Sequence, residues 1–266
     1  FQGGGYPKFQ GRYRYNSLTF KQTGWKIKND RLYLTGCGDI KICWSRDIEG
    51  DIKTVTVKRS KAGDWYVCFS CDNVPTPVYP AVTAEVGIDL GISTLVTTSD
   101  GEKIENARYL KRKLRQLRRL QRHLSRQKNK QSNRRRKTVR QIQRLHENVA
   151  NQRRDAHHKA STSLVKRYAK IVHEDISPQF MIKNSRLSRA AADVGWSQFL
   201  TFLQSKAAAT GREAVAVSAF NTSQVCSGCG ALVPKKLSDR WHYCSYCGVS
   251  LDRDVNAAIN ILRRSA

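Results

Sequence analysis

Val86-Gly87-Ile88-Asp89-Leu90-Gly91 is a short apolar run holding one carboxylate among glycines, and the rest of the chain is organised around it. Alternation along a strand places Val86, Ile88 and Leu90 on one face and Gly87 with Asp89 on the other. An acid between glycines leaves room for a bulky ligand. Thr94 to Thr98 and Lys103 to Ala107 read as two further strands, joined by a turn at Ser99-Asp100-Gly101. Ala169 to Ile176 is a second apolar run interrupted by an acid, with Val172 and Glu174 on one face and Ile171 and His173 on the other. Trp196 to Ala209 is an amphipathic helix through Trp196, Phe199, Leu200 and Leu203, ended by Gly211, and Glu213 to Ser218 is another strand. A last helix opens in Leu251-Asp252-Arg253-Asp254-Val255-Asn256-Ala257-Ala258.

The order is therefore a strand with Asp, two more strands, helical material, a strand with Glu, a helix, a strand, and a helix opening with Asp. This is the order of a ribonuclease-H-like α/β fold, in which the first strand, the fourth strand and the last helix bring three acids together from distant places in the chain. Three oxygen ligands with open positions suit Mg²⁺, which keeps several waters and takes phosphate oxygens. Two such ions activate water and stabilise the leaving oxygen in phosphodiester hydrolysis.

Directly ahead of the last helix stand two Cys-x-x-Cys pairs, Cys226/Cys229 and Cys244/Cys247, each followed by glycine, Gly230 and Gly248. Fourteen residues, 230 to 243, separate them, enough for a short hairpin that returns the second pair to the first. Four thiolates close every position on a tetrahedral zinc ion, so the site is expected to be structural, not catalytic. Cys37, Cys43, Cys68 and Cys71 do not make a second such site. Cys68 and Cys71 would point to opposite faces of one strand, and neither pair carries the glycine.

Composition indicates the partner. With 48 Lys and Arg against 21 Asp and Glu, the formal charge is +27, which suits a polyanion. Between Lys111 and Arg154 stand 18 Lys or Arg and one acid, Glu147. Leu110, Leu114, Leu117 and Leu124 recur near helical spacing, and Val139, Ile142, Leu145 and Val149 resume it after Gln131-Ser132-Asn133. The segment is thus a helical hairpin with a thin apolar stripe on each arm and arginine outside. Its expected nucleic-acid contacts are Lys111, Arg112, Arg115, Arg118, Arg119, Arg122, Arg126, Arg134, Arg135, Arg136, Lys137 and Arg140. Helix continues from Asp155 to Tyr168, where the adjacent His157 and His158 diverge by about 100° and read as packing residues. No run of 18 apolar residues exists, so no membrane partner is expected and the chain reads as cytoplasmic.

Residues 1–80 read as β structure. Asn16 to Phe20, Trp25 to Leu34, Asp39 to Trp44, Ile52 to Arg59 and Trp65 to Ser70 are rich in β-branched and aromatic residues, with a hairpin turn at Lys61-Ala62-Gly63-Asp64. The expected architecture is α/β plus β. A partial β-barrel spans 1–80, a nuclease-like domain 81–220 with the basic hairpin at 108–156, a zinc ribbon 221–249, and the last segment 250–266.

The chain resembles the TnpB (OrfB) proteins of insertion sequences, relatives of the type V CRISPR effectors with a RuvC-like nuclease domain. The resemblance rests on Gly5-Tyr6-Pro7-Lys8-Phe9, Gly87-Ile88-Asp89-Leu90-Gly91, Asp155 with His158-Lys159 and Ser161, Glu174-Asp175 and Gly195-Trp196-Ser197. It rests most of all on Thr222-Ser223-Gln224-Val225-Cys226-Ser227-Gly228-Cys229-Gly230 together with Asp252-Arg253-Asp254-Val255-Asn256-Ala257-Ala258-Ile259-Asn260-Ile261-Leu262. It implies an RNA-guided DNA endonuclease in which a guide RNA pairs with target DNA and one RuvC-like, Mg²⁺-dependent site cuts. Carried over, the acids are Asp89, Glu174 and one of the last pair. Asp254 is favoured, because Ala257, Ala258 and Ile261 share its helix face and let it approach the sheet. Asp252 is the runner-up and suits the loop leaving the cysteines. His173 and His157 stand where the family has apolar residues. Family members also carry a helical recognition segment ahead of Gly5, and the sequence given starts there. The alternative to an active nuclease is therefore a truncated or inactive guide-RNA and DNA binder without cleavage.

Overall fold

The computed structural model describes residues 15–176, 188–236 and 238–265; the Gly5–Phe9 stretch lies outside them. The chain divides into two compact units, one of residues 1–75 with 120–144, the other of 76–119 with 145–266.

In the first unit, β1 (Ser17–Phe20), β5 (Asp51–Arg59) and β6 (Trp65–Asp72) form an antiparallel sheet in the order β1-β5-β6. A second antiparallel sheet joins β2 (Trp25–Lys28), β3 (Arg31–Leu34) and β4 (Gly38–Lys41). The apolar run from Trp25 to Leu34 is thus two strands. Asn29 and Asp30, both at positive φ (46° and 60°), fold it into a tight hairpin of the kind that matches strand twist. Leu32, Leu34 and Val55 are fully buried, with Phe20, Ile40, Val57, Val67 and Phe69 packed on them. The turn expected at 61–64 is present: Ser60 N–H donates to the Asp64 carbonyl at 2.7 Å, and Gly63 supplies a φ of 94°. Cys68 is exposed and Cys71 half-buried on alternating positions of β6. Among the described residues these cysteines form no metal-holding cluster.

Two long helices, α1 (Tyr109–Arg126) and α2 (Asn133–Arg167), contribute to both units. Their turn is held by Arg135, whose guanidinium donates to the Leu124 and Gln127 carbonyls at 3.0 and 2.9 Å. Gln127 also donates to the buried Thr138 hydroxyl at 3.1 Å.

The second unit is built on a five-stranded mixed sheet in the order β11-β10-β7-β8-β9, formed by β7 (Glu85–Asp89), β8 (Thr94–Thr98), β9 (Lys103–Glu105), β10 (Lys170–Glu174) and β11 (Glu213–Val217). β7, β8 and β9 are an antiparallel meander, whereas β10 runs parallel to β7 and β11 parallel to β10. Parallel neighbours need long crossovers. α2 supplies the first, and α3 (Ser188–Val194) with α4 (Trp196–Ala209) the second. One face of the sheet carries the core: Val86, Ile88, Leu90 and Ile171 pack with Leu164 and Val165 of α2 and Phe199 and Leu203 of α4. The Lys206 ammonium fastens α4 to α2, donating to the His158 carbonyl and the Ser161 and Thr162 hydroxyls at 2.6–2.9 Å. His157 is buried edge-on to Phe199, and His158 stacks on Phe202. The two imidazoles therefore diverge into separate packing contacts.

The other face is covered by α5 (Arg253–Arg263). Gly87 makes that approach possible, since a Cβ there would lie 2.0 Å from the Ala258 carbonyl oxygen. Between β11 and α5 the chain forms two cysteine turns and the antiparallel pair β12 (Trp241–Tyr243) with β13 (Ser250–Asp252). Among the described residues no helix is long and apolar enough to cross a membrane.

Candidate metal and nucleic-acid sites

Two residues come together because of strand register. Ile171, Val172 and His173 pair in step with Val86, Gly87 and Ile88, so Glu174 ends β10 level with Asp89 at the end of β7. Neighbouring strands lie about 4.8 Å apart. Val172 and Glu174 share a face with Gly87 and Asp89, the face on which α5 lies, and Asp254 sits in the first turn of that helix.

The electrostatics follow from this crowding. Burial, then the Glu174 and Asp254 carboxylates, push the Asp89 carboxyl from 3.8 up to about 8, against an opposing pull from Arg253. Burial also raises Glu174, while the Thr222 hydroxyl and the Arg264 guanidinium act the other way. Asp252 is a carboxylate of a different kind. It is the N-cap of α5, accepting from the Asp254 and Val255 N–H groups at 2.8 and 3.3 Å, and it pairs with Lys103 at 2.6 Å. Although burial opposes it, Lys103 and the Asp254 N–H hold its carboxyl below the usual range. Asp252 is thus held toward its ionised form, whereas burial and its acidic neighbours favour the neutral form of Asp89. Asp254 has Arg253 beside it at 3.0 Å and Arg240 at 3.9 Å.

The cysteines form a second cluster. The sulfurs of Cys226, Cys229, Cys244 and Cys247 all lie within 4.8 Å of one another, and the Cys226–Cys247 and Cys229–Cys244 separations are both 3.6 Å. Four bonds of about 2.3 Å at tetrahedral angles set sulfurs about 3.8 Å apart, and a disulfide needs about 2.05 Å. The donor set therefore fits zinc. The two turns repeat one design. Gly230 N–H donates to the Cys226 carbonyl and Gly248 N–H to that of Cys244, each at 2.9 Å, with φ of 79° and 76° at the glycines.

Of the basic residues singled out on the hairpin, Lys111, Arg112, Arg115, Arg118, Arg119, Arg122, Arg126, Arg134, Arg136, Lys137 and Arg140 are exposed. Arg135 is half-buried and spends its guanidinium on the turn. Arg136 and Arg140 line a cleft of about 470 Å³ in the first unit together with Arg59, Lys61 and Lys130. The contribution of Arg59 and Lys61 at the β5–β6 turn to this basic surface was not visible in the sequence, because only the fold brings that turn beside the helical hairpin. Thr222, Asn256 and Asn260 also escaped the sequence reading. The available signal was an asparagine at i and i+4 on the otherwise apolar face of the last helix, where each needs a buried partner.

A family model described as "Probable transposase" (OrfB) matches residues 68–185, and one described as "Cas12f1-like, TNB domain" matches residues 196–261. A Streptomyces pristinaespiralis protein, provisionally named RNA-guided DNA endonuclease, is 38% identical over 97% of this chain and 65% of its own length. The Escherichia coli protein InsQ, with the same provisional name, is 36% identical over 97% of this chain and 68% of its own. A TnpB-like protein of Acanthamoeba polyphaga mimivirus is 28% identical over 79% of the chain and 43% of its own length. The chain thus spans about two thirds of the length of the first two. Among solved structures, a chain of a CRISPR-Cas12f ternary complex has a similar fold, with a TM-score of 0.51 and 18% identity over 79% of this chain and 45% of that one. With identity of this extent along nearly the whole chain, the protein belongs to the TnpB (OrfB) family.

Proposed function

We propose that this chain carries the RuvC-like, ribonuclease-H-like nuclease of an RNA-guided DNA endonuclease, hydrolysing phosphodiester bonds at Asp89, Glu174 and Asp254. The observation that supports the reading is the register that sets Glu174 level with Asp89 on the sheet face under α5, where burial first, then the Glu174 and Asp254 carboxylates, raise the Asp89 carboxyl to about 8. A cation bound there would displace that proton to solvent and compensate the carboxylate charge. Mg²⁺ bound by these three carboxylates would activate water and stabilise the leaving oxygen. Asp89 and Glu174 are held on rigid strand ends, and Asp252 orients Asp254 by fixing the start of the helix. Cys226, Cys229, Cys244 and Cys247 hold a structural zinc in a ribbon of residues 221–249. In the same reading, residues 1–80 are the partial β-barrel, 81–220 the nuclease domain with its hairpin at 108–156, and 250–266 its last segment. The exposed cations of the hairpin contact guide RNA and target DNA through phosphates. The names of the two provisional endonucleases support those partners.

The test is incubation of the purified chain, with its co-purifying RNA, with single- and double-stranded DNA and Mg²⁺. Cutting that disappears with a chelator supports the nuclease. Salt-sensitive binding without any metal-dependent cutting would sink it in favour of a binder.

Two further outcomes are expected. Cys244→Ser should release the zinc and unfold 221–249, because binding energies of roughly 10–16 kcal/mol hold structural zinc sites together. Metal content, proteolysis within 221–249 and cutting rate should change together; full activity after complete zinc removal would contradict the coupling. The second concerns pH. With the Asp89 carboxyl at 3.8 unfolded and about 8 folded, the folded chain binds the extra proton between those values, so stability without divalent metal should fall as pH rises from about 4 to 8. Mg²⁺ should flatten that slope. A melting temperature independent of pH in this window would argue against the crowded carboxylate.

A further inference from the structure

We infer that Thr222 is the positioning residue for Glu174, and that Asn256 and Asn260 hold it there by clamping the cysteine-bearing segment to the last helix. The inference rests on the three-acid reading above and adds to it a residue that touches neither substrate nor metal.

Thr222 is 3% exposed, and its hydroxyl donates to Glu174 Oε1, with the Ala219 carbonyl 3.3 Å away as a second acceptor. A carboxylate at a strand end can turn about its last bond. A donor on one oxygen stops that rotation and fixes where the other oxygen points. The donor must itself be held, and two buried asparagines of α5 do this. Asn260 Nδ2 donates to the Thr222 carbonyl at 2.9 Å and to the Val225 carbonyl at 2.7 Å. Asn256 Nδ2 donates to the same Val225 carbonyl at 2.8 Å, while its Oδ1 accepts from the Ser227 N–H at 2.9 Å. Asn256 is fully buried and Asn260 is 7% exposed.

The reach of these bonds has a consequence. Residues 222–227 include Cys226, so one short stretch bonded to α5 connects the cysteine cluster to the Glu174 carboxylate. Burying two amides on the face of an eleven-residue helix is costly unless each is satisfied. Two alanines there would leave the Val225 carbonyl and Ser227 N–H unpaired and the segment free to shift. The asparagines and Thr222 therefore belong to one device, in which the helix that carries Asp254 also sets the orientation of Glu174.

The experiment measures Mg²⁺ affinity of the full chain by calorimetry, and its thermal stability without metal, for Thr222→Val, Thr222→Ser, Glu174→Ala, the double variant Thr222→Val/Glu174→Ala, and Asp89→Asn. Removal of groups that orient metal ligands typically lowers affinity roughly 10- to 100-fold. Thr222→Val is expected to lose about tenfold, and Thr222→Ser, which keeps the hydroxyl, to stay within about twofold. In the metal-free melt, the effect of Thr222→Val should be largely abolished in the Glu174→Ala background, which has no acceptor for the hydroxyl, since the two residues act as a pair. Unchanged affinity in Thr222→Val while Asp89→Asn loses binding overturns the inference and leaves the three-acid reading standing. Unchanged affinity in Asp89→Asn overturns that reading itself. Equal losses in the serine and valine variants would assign the effect to packing and also overturn the inference. Should Thr222→Val not fold, Thr222→Ala takes its place in the same comparison.

Discussion

Asp89→Asn is expected to abolish metal-dependent cutting while raising the stability of the metal-free protein. The two effects have one origin. Burial and the carboxylates of Glu174 and Asp254 act against a charge at position 89, so an isosteric neutral amide relieves the repulsion that a divalent cation otherwise relieves. The same amide is a poor ligand for a hard cation. If metal-held charge supplies several kcal/mol to the reaction, the loss is on the order of 10³-fold or more. Cutting rate should fall to background, binding of nucleic acid should stay near the parent value, and the melting temperature without metal should rise. The pH slope between about 4 and 8 should largely vanish with the carboxyl. Retained full cleavage would remove Asp89 from the site. A fall in stability instead of a rise would mean that the carboxylate is stabilised by something other than a bound cation.

Gly87→Ala is expected to be the most damaging single-methyl change in the second unit. The added carbon would sit 2.0 Å from the Ala258 carbonyl oxygen, 2.8 Å from Leu262 N and 2.9 Å from Leu262 Cβ. Two of those three atoms are backbone, so no rotamer change makes room, and the whole of α5 must lift from β7. Overpacking of this kind costs about 3 kcal/mol or more. Because Asp254 rides on the first turn of that helix, Mg²⁺ affinity should fall as well. Gly101→Ala is the control: Gly101 has a φ of 86° and nothing within 4 Å of an added carbon, so it carries only backbone strain, of order 1 kcal/mol. Denaturant midpoints should separate the two variants clearly. Equal shifts would mean that α5 does not press on Gly87.

Much of this was legible in the chain itself because it is local. Alternation in Val86 to Gly91 and in Ile171 to Glu174 assigns each acid to a face before any partner is known, and the β7 and β10 faces follow that assignment. The cysteine spacing with its two glycines likewise dictates two matching turns, since φ near 79° and 76° is easily adopted only by glycine. The split of Trp25 to Leu34 into β2 and β3 was less visible, because an Asn-Asp pair inside a β-rich run reads as an interruption until its positive φ values turn the chain back.

What tertiary structure alone decided is which distant groups share a dielectric environment. Asp252 and Asp254 are two residues apart in one motif, and helix geometry cannot tell which of them caps the helix when the helix start is unknown by one or two positions. Lys103, 149 residues away, together with the Asp254 N–H, holds Asp252 as an ionised cap. The parallel register of β10 on β7 places Glu174 beside Asp89. Likewise Arg135 reads in sequence as one more phosphate contact, and only the fold turns its guanidinium onto the Leu124 and Gln127 carbonyls. Local pattern determines which way a side chain points. Which charges, donors and carbonyls it meets depends on long-range packing, and that packing sets the Asp89 carboxyl near 8 and the Thr222 hydroxyl on Glu174.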